Sequence, residues 1–108
     1  MINIEMLEDM FEGDHEIVQQ LFTLYLSENN TIEQTILQAY DTDDFTKLYN
    51  TAHSLSGALG NLCETDIISH IKEIELLTKS DTKPNSNTIN IIVKGLNDIT
   101  EQMKHYLG

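Results

Sequence analysis

Phe45-Thr46-Lys47-Leu48-Tyr49-Asn50-Thr51-Ala52-His53-Ser54-Leu55-Ser56-Gly57-Ala58-Leu59-Gly60-Asn61-Leu62 is the stretch on which the reading of this chain turns. Leu48, Ala52, Leu55, Leu59 and Leu62 recur at alternating intervals of four and three, which places them on one face of an α-helix. At ~100° per residue the mean direction of that stripe lies about 140° from His53, so the histidine is expected to point into water. Gly57 and Gly60 flank it on the following turns, Tyr49 stands one turn before it, and Ser56 lies at the edge of the same patch. A glycine inside a helix costs roughly 1 kcal/mol relative to alanine, so two of them on a solvent face weaken the helix without helping the core. Close approach of another protein's backbone to His53 would explain them. The plain alternative is an ordinary surface histidine, with Gly57 incidental and Gly60 ending the helix as a left-handed cap before Asn61.

Working outward, the rest of the chain also reads as helices with short breaks, and nowhere do apolar residues alternate strictly with polar ones as in a strand. Ile4, Leu7 and Phe11 suggest a short first helix ending at Gly13. Asp14 is expected to cap a second, long helix carrying Val18, Leu21, Phe22, Tyr25, Ile32, Ile36 and Tyr40 and ending near Asp41, with a bend in the polar gap Ser27 to Thr31. Asp43 or Asp44 caps the histidine helix. A fourth helix presents Ile67, Ile71, Ile74 and Leu77 and breaks in Ser80 to Ser86, where Asp81, Pro84 and Asn85 favour turns. The last helix has the cleanest stripe: Ile89, Ile92, Leu96, Ile99, Met103 and Tyr106. The expected fold class is all-α: an antiparallel up-down-up-down four-helix bundle with a short additional N-terminal helix, residues 1–108 forming a single domain.

Charge narrows the function classes. Eighteen acidic against six basic residues give a net charge of −12, which repels nucleic-acid phosphates and anionic lipid. No stretch approaches the roughly 20 apolar residues of a membrane span, and MINIEMLEDMFEG lacks the basic and apolar regions of a secretion signal, so a cytoplasmic setting is expected. Cys63, the only cysteine, has no second thiol for a disulfide or a zinc site. The acidic run Asp41-Thr42-Asp43-Asp44 fails as a calcium loop, because Thr46 stands where glycine is needed and Ala52 where the bidentate glutamate belongs. Glu12 to His15, the single Glu-x-x-His match, spans a helix break, and His15, His70 and His105 show no ligand spacing. The Asn29-Asn30-Thr31 sequon carries little meaning without a secretion signal.

The segment Ala52-His53-Ser54-Leu55-Ser56-Gly57-Ala58-Leu59-Gly60 resembles the signature of histidine-containing phosphotransfer (HPt) domains, in which a phosphorylatable histidine precedes any residue, a leucine, usually a lysine, and a glycine. The resemblance extends over essentially the whole chain. It takes in Gly13-Asp14 before a long helix, the Tyr40 to Asp44 break, and Leu62-Cys63 with Ile67, Ile71, Ile74 and Glu75, the last often a glutamine or glutamate beside the histidine. It implies a phosphorelay intermediate in two-component signalling, with His53 as phosphoacceptor, Ser56 and Glu75 beside the phosphate, and Tyr49, Gly57, Ala58 and Gly60 as docking surface. The implied partners are a receiver domain of a response regulator or a hybrid histidine kinase. No cofactor is expected on this chain, Mg²⁺ belonging to the receiver, and a monomer without catalysis of its own is implied.

Two positions depart from the family pattern. Ser56 replaces the usual lysine, a cation that can offset phosphate charge, and Cys63 stands where a glycine is common. Ser56 keeps open a degenerate adaptor that docks a receiver or kinase without carrying phosphate. A histidine-kinase dimerisation domain is disfavoured, because Ser54 follows the histidine where that class has an acidic residue, and no glycine-rich nucleotide segment is present.

Overall fold

In the computed structural model, which describes residues 1–108, the apolar periodicities become six helices and no strand: α1 (Ile4–Met10), α2 (His15–Glu28), α3 (Ile32–Asp41), α4 (Phe45–Asn61), α5 (Ile68–Lys79) and α6 (Ser86–Leu107). Short polar side chains open them by satisfying orphan backbone donors. Asn3 accepts from the amide of Met6, Asp14 from Glu16 and Ile17, Asp44 from Lys47, and Asn85 from Asn87.

The long second helix expected from the sequence is two helices, because the polar gap is a full break. Asn29 closes α2 by turning both its backbone N–H and its side-chain amide onto the carbonyl of Tyr25, each at 3.0 Å, and α3 restarts at Ile32. Thr31 offers no side-chain cap to the new helix. The 22-residue α6, about 33 Å long at 1.5 Å per residue, is long enough to pack against both pieces.

Four helices end by one device. In each, the amide two residues past the last turn reaches back to a carbonyl, and the residue before it takes a left-handed conformation. The bonds are Gly13 to Glu8 (2.8 Å), Asp44 to Ala39 (2.9 Å), Glu64 to Leu59 (3.0 Å) and Thr82 to Leu77 (2.9 Å). The left-handed residues are Glu12, Asp43, Cys63 and Asp81, none of them glycine. Thus α4 runs through Gly60 to Asn61, and the left-handed cap at its end is Cys63 (φ 60°), not Gly60.

The stripes read from the sequence converge on one core. Leu7, Val18, Phe22, Ile36, Leu48, Leu55, Leu59, Ile71, Ile74, Ile89, Ile92, Leu96, Ile99 and Met103 are all buried in it. Helices α3 and α4, α4 and α5, α5 and α6, and α3 and α6 pack in pairs, while α1 lies against α2. Lys83 of the α5–α6 connection donates to Asp43 (2.6 Å) and sits 4.5 Å over the ring of Tyr40, tying that loop to the α3–α4 turn.

The α4–α5 connection is organised around one buried carboxylate. Glu64, whose side chain is fully buried, accepts from the amides of Asp66 (2.8 Å), Ile67 (3.0 Å) and Ile68 (2.8 Å) and from the Met1 ammonium (2.9 Å). Burial acts to raise the pKa of its carboxyl, but these donors together hold it below the usual carboxylate range. Ile2 pairs with Glu64 in an isolated bridge and exchanges two 2.9 Å hydrogen bonds with the side-chain amide of Gln102. Ile67 presses on α6 at Gly95, where a β-carbon would stand 2.4 Å from Ile67 Cγ2.

Candidate functional site

His53 lies midway along α4 with its side chain 69% exposed, as the helical projection requires. Its Nδ1 is held by Glu75 Oε1 from α5, a contact reaching 22 residues along the chain. Glu75 itself is only 19% exposed, so the carboxylate is seated between the two helices. An ionised carboxylate can only accept, which puts the proton on Nδ1 and leaves the lone pair of a neutral imidazole on Nε2. Tyr49, one turn earlier, stacks beside the imidazole with ring centroids 5.8 Å apart and planes 11° from parallel. Side chains on two sides therefore orient the ring.

The surroundings are bare. A β-carbon at Gly57 would meet nothing within 4 Å, so no packing contact requires glycine there. At Gly60 it would meet Ile68 Cδ1 at 3.4 Å, an ordinary contact, and Gly60 is likewise exposed. The two glycines leave the helix beside His53 open along its C-terminal half.

Two expected neighbours are placed differently. Ser56 is buried, at 9% exposure, and its hydroxyl donates to the backbone carbonyl of His53 at 3.0 Å. The hydroxyl is therefore engaged within its own helix and not directed toward the exposed imidazole nitrogen, because position i+3 falls on the side of α4 that turns toward the core. Ala58, half-buried, faces around the helix toward α2 and lines a groove there with Phe11, Leu21, Leu24 and Leu62. Tyr49, Gly57, Gly60 and Glu75 are the expected residues that the fold gathers around His53.

The sequence reading passed over a second oriented histidine. His15, 70% exposed at the start of α2, has Nδ1 against Glu8 Oε2 and 3.1 Å from the Tyr106 hydroxyl, which also donates to Glu8 at 3.0 Å. Burial, with Glu8 adding to it, pushes the Tyr106 phenol above its usual range. Spacing gave no signal for this cluster, since Tyr106 lies 91 residues from His15. Glu64 was missed too, because it lies outside α5 and glutamate is not among the residues that mark the start of a helix.

No group of three or more His, Cys, Asp or Glu side chains is placed to hold a metal ion. No helix is long and apolar enough to cross a membrane. Comparison of the chain with models of protein families, with curated proteins and with solved structures gave no match.

Proposed function

We propose that this chain is an HPt-type phosphocarrier, accepting a phosphoryl group on His53 from the aspartyl phosphate of a receiver domain and passing it on. The observation that carries the reading is an exposed imidazole, oriented by Glu75 and Tyr49, on a helix left open at Gly57. The resemblance of Ala52 to Gly60 to the HPt signature points the same way. The finer architecture belongs to the same proposal. Short connections at 42–44, 62–67 and 80–85, with α3, α4, α5 and α6 packed in a closed ring of neighbours, support an up-down-up-down four-helix bundle.

In the transfer, the Nε2 lone pair attacks phosphorus, the bond from phosphorus to the aspartate oxygen breaks, and the aspartate leaves as a carboxylate. The Nδ1 proton stays in its hydrogen bond to Glu75, whose charge offsets the positive charge that develops on the ring. The reverse sequence passes the group to a second receiver. Positioning is the chain's contribution, and Mg²⁺ in the receiver supplies the charge stabilisation, so this chain is a carrier, not an enzyme. It works as a monomer in the cytoplasm.

One observation favours the adaptor as a second reading: Ser56 supplies no cation, and its hydroxyl is spent on the His53 carbonyl. The deciding experiment incubates the chain with a phosphorylated receiver domain and Mg²⁺, beside His53→Gln, and reads intact mass and acid lability. Acid-labile phosphate on the wild type alone is the expected result. Binding of a receiver with no phosphate gained by either protein would replace the carrier with the adaptor.

A further inference from the structure

On the phosphocarrier reading, the chain is left alone with its load: once the receiver departs with its Mg²⁺, about two added negative charges stay on His53. The molecule already carries a net charge of −12, and the Glu75 carboxylate lies against the imidazole. Helix α4 offers no cation to offset them. Ser56 is buried with its hydroxyl on the His53 carbonyl. Lys47, the only lysine of α4, stands about 120° around the helix from His53 and about 9 Å along it.

The neighbouring helix does offer one. Two contacts fix the register of α5 against α4: Glu75 meets His53, and Ile68 Cδ1 lies 3.4 Å from where a β-carbon would stand at Gly60. Seven residues forward on α4 are thus answered by seven back on α5, which brings Ser56 and Gly57 level with Lys72 and Ile71. Ile71 is buried in the core, so Lys72 is the exposed residue at that level. At ~100° per residue Lys72 lies about 40° from Ile68 and about 60° from Glu75, the two residues that meet α4. It also lies about 130° from the mean direction of the buried Ile67, Ile71, Ile74 and Thr78. Lys72 therefore borders the α4–α5 seam on its solvent side, the side on which the imidazole is exposed. Lys83 and Lys94 are engaged with Asp43 and Asp98, but Lys72 is in no ion pair. Lys79, the other lysine of that face, comes level with Tyr49, whose ring covers one face of the imidazole; in the last turn of α5 it complements the helix dipole.

We infer that Lys72 supplies from α5 the cation that Ser56 does not supply from α4, its ammonium donating to an oxygen of the phosphoryl group on Nε2. The inference rests on the phosphocarrier reading and adds a residue to the same site. No bond to Lys72 forms or breaks: phosphorus passes from the aspartate oxygen to Nε2, and the lysine keeps its protons throughout. Its flexible four-carbon stem lets the ammonium follow the group as it arrives. A charge-assisted hydrogen bond of this kind exists only in the phosphorylated chain, so Lys72 shifts the equilibrium of transfer toward His53.

The test incubates the full chain with a phosphorylated receiver domain and Mg²⁺ and reads the ratio of phosphohistidine to aspartyl phosphate once transfer has equilibrated, at low and high salt. Lys72→Gln should lower that ratio about tenfold, and the loss should shrink as salt rises. Lys72→Arg, which keeps the charge, should stay within about threefold of the wild type, and Lys104→Gln, which removes an exposed lysine from α6, within about twofold. A residue that only docks the receiver changes how fast the ratio is reached and leaves the ratio itself unchanged. An unchanged ratio in Lys72→Gln, whose folding circular dichroism verifies, would therefore overturn the inference. So would an equal fall in Lys104→Gln, which would mean overall charge, or a loss that salt leaves untouched, which would mean packing. If the wild type itself gains no phosphate, the carrier reading and this inference fall together, whereas normal transfer at an unchanged ratio in Lys72→Gln removes only the role of Lys72.

Discussion

Of the three glycines inside the long helices α4 and α6, two are there for opposite reasons. Gly95 lies in α6 where Ile67 leans on the backbone, and a single methyl group there would collide with Cγ2 at 2.4 Å. Gly57 lies in α4 beside His53, where the same methyl group would touch nothing within 4 Å. Each weakens its helix by roughly 1 kcal/mol relative to alanine. At Gly95 that cost is offset by letting α6 close against the Glu64 turn; at Gly57 nothing in the fold offsets it. A glycine that packing requires belongs to stability, and one that packing leaves free points to what happens outside the molecule.

The sharpest way to break this comparison is to fill the open position. On the proposed phosphocarrier reading, Gly57→Leu should lower the rate of phosphoryl acceptance from a receiver at least about 100-fold, or about 2.7 kcal/mol, by holding the partner away from His53, and rapid-quench transfer assays would show it. Unchanged transfer would make Gly57 incidental. Next in size is the closed region. Glu64→Gln should cost about 2 kcal/mol in urea unfolding near neutral pH, since it removes the charge from a buried acceptor of three backbone amides. The sign with pH follows from the depressed folded pKa of Glu64. Its contribution is complete above the unfolded carboxyl value of about 4.3 and is lost as pH falls through the lower folded value. The gap between wild type and Glu64→Gln should therefore narrow in acid.

Alanine placed at the two glycines compares them directly. Gly95→Ala should destabilise by about 1–2 kcal/mol, overpacking against Ile67 exceeding the gain in helix propensity, and thermal melts should show a lower midpoint. Gly57→Ala should do the reverse and stabilise by about 1 kcal/mol. Shifts of the same sign would erase the distinction.

Much of this was legible in the sequence, for reasons that differ by element. The stripes of α4 and α6 predict the buried faces because a long helix on one core repeats its register: Leu48, Ala52, Leu55, Leu59 and Leu62 are all buried, as are Ile89, Ile92, Leu96, Ile99 and Met103. The exposure of His53 follows from the same projection. The break between α2 and α3 was less legible, because Ile32, Ile36 and Tyr40 can continue the stripe of Val18 and Tyr25 across a bend as readily as across a gap. At the site, Ser56 was misplaced because it sits where the apolar face meets the solvent face, and its hydroxyl found a partner in its own helix. The role of Gly95 depends on Ile67, 28 residues away, a separation that no local pattern records.

The contacts of residue 2 also bear on the order in which the fold assembles. Its bridge to Glu64 and its paired hydrogen bonds to Gln102 close loops of about 60 and 100 residues, whereas α4 and α5 meet across a connection of only a few. Loop-closure entropy favours the short hairpin as the early nucleus and leaves the anchoring of residue 2 until the end of folding. Unfolding then starts at that end, so the amide of Ile2 should exchange with solvent through local openings that leave the amides around His53 protected. The imidazole would thus be carried on the part of the chain that forms first and opens last.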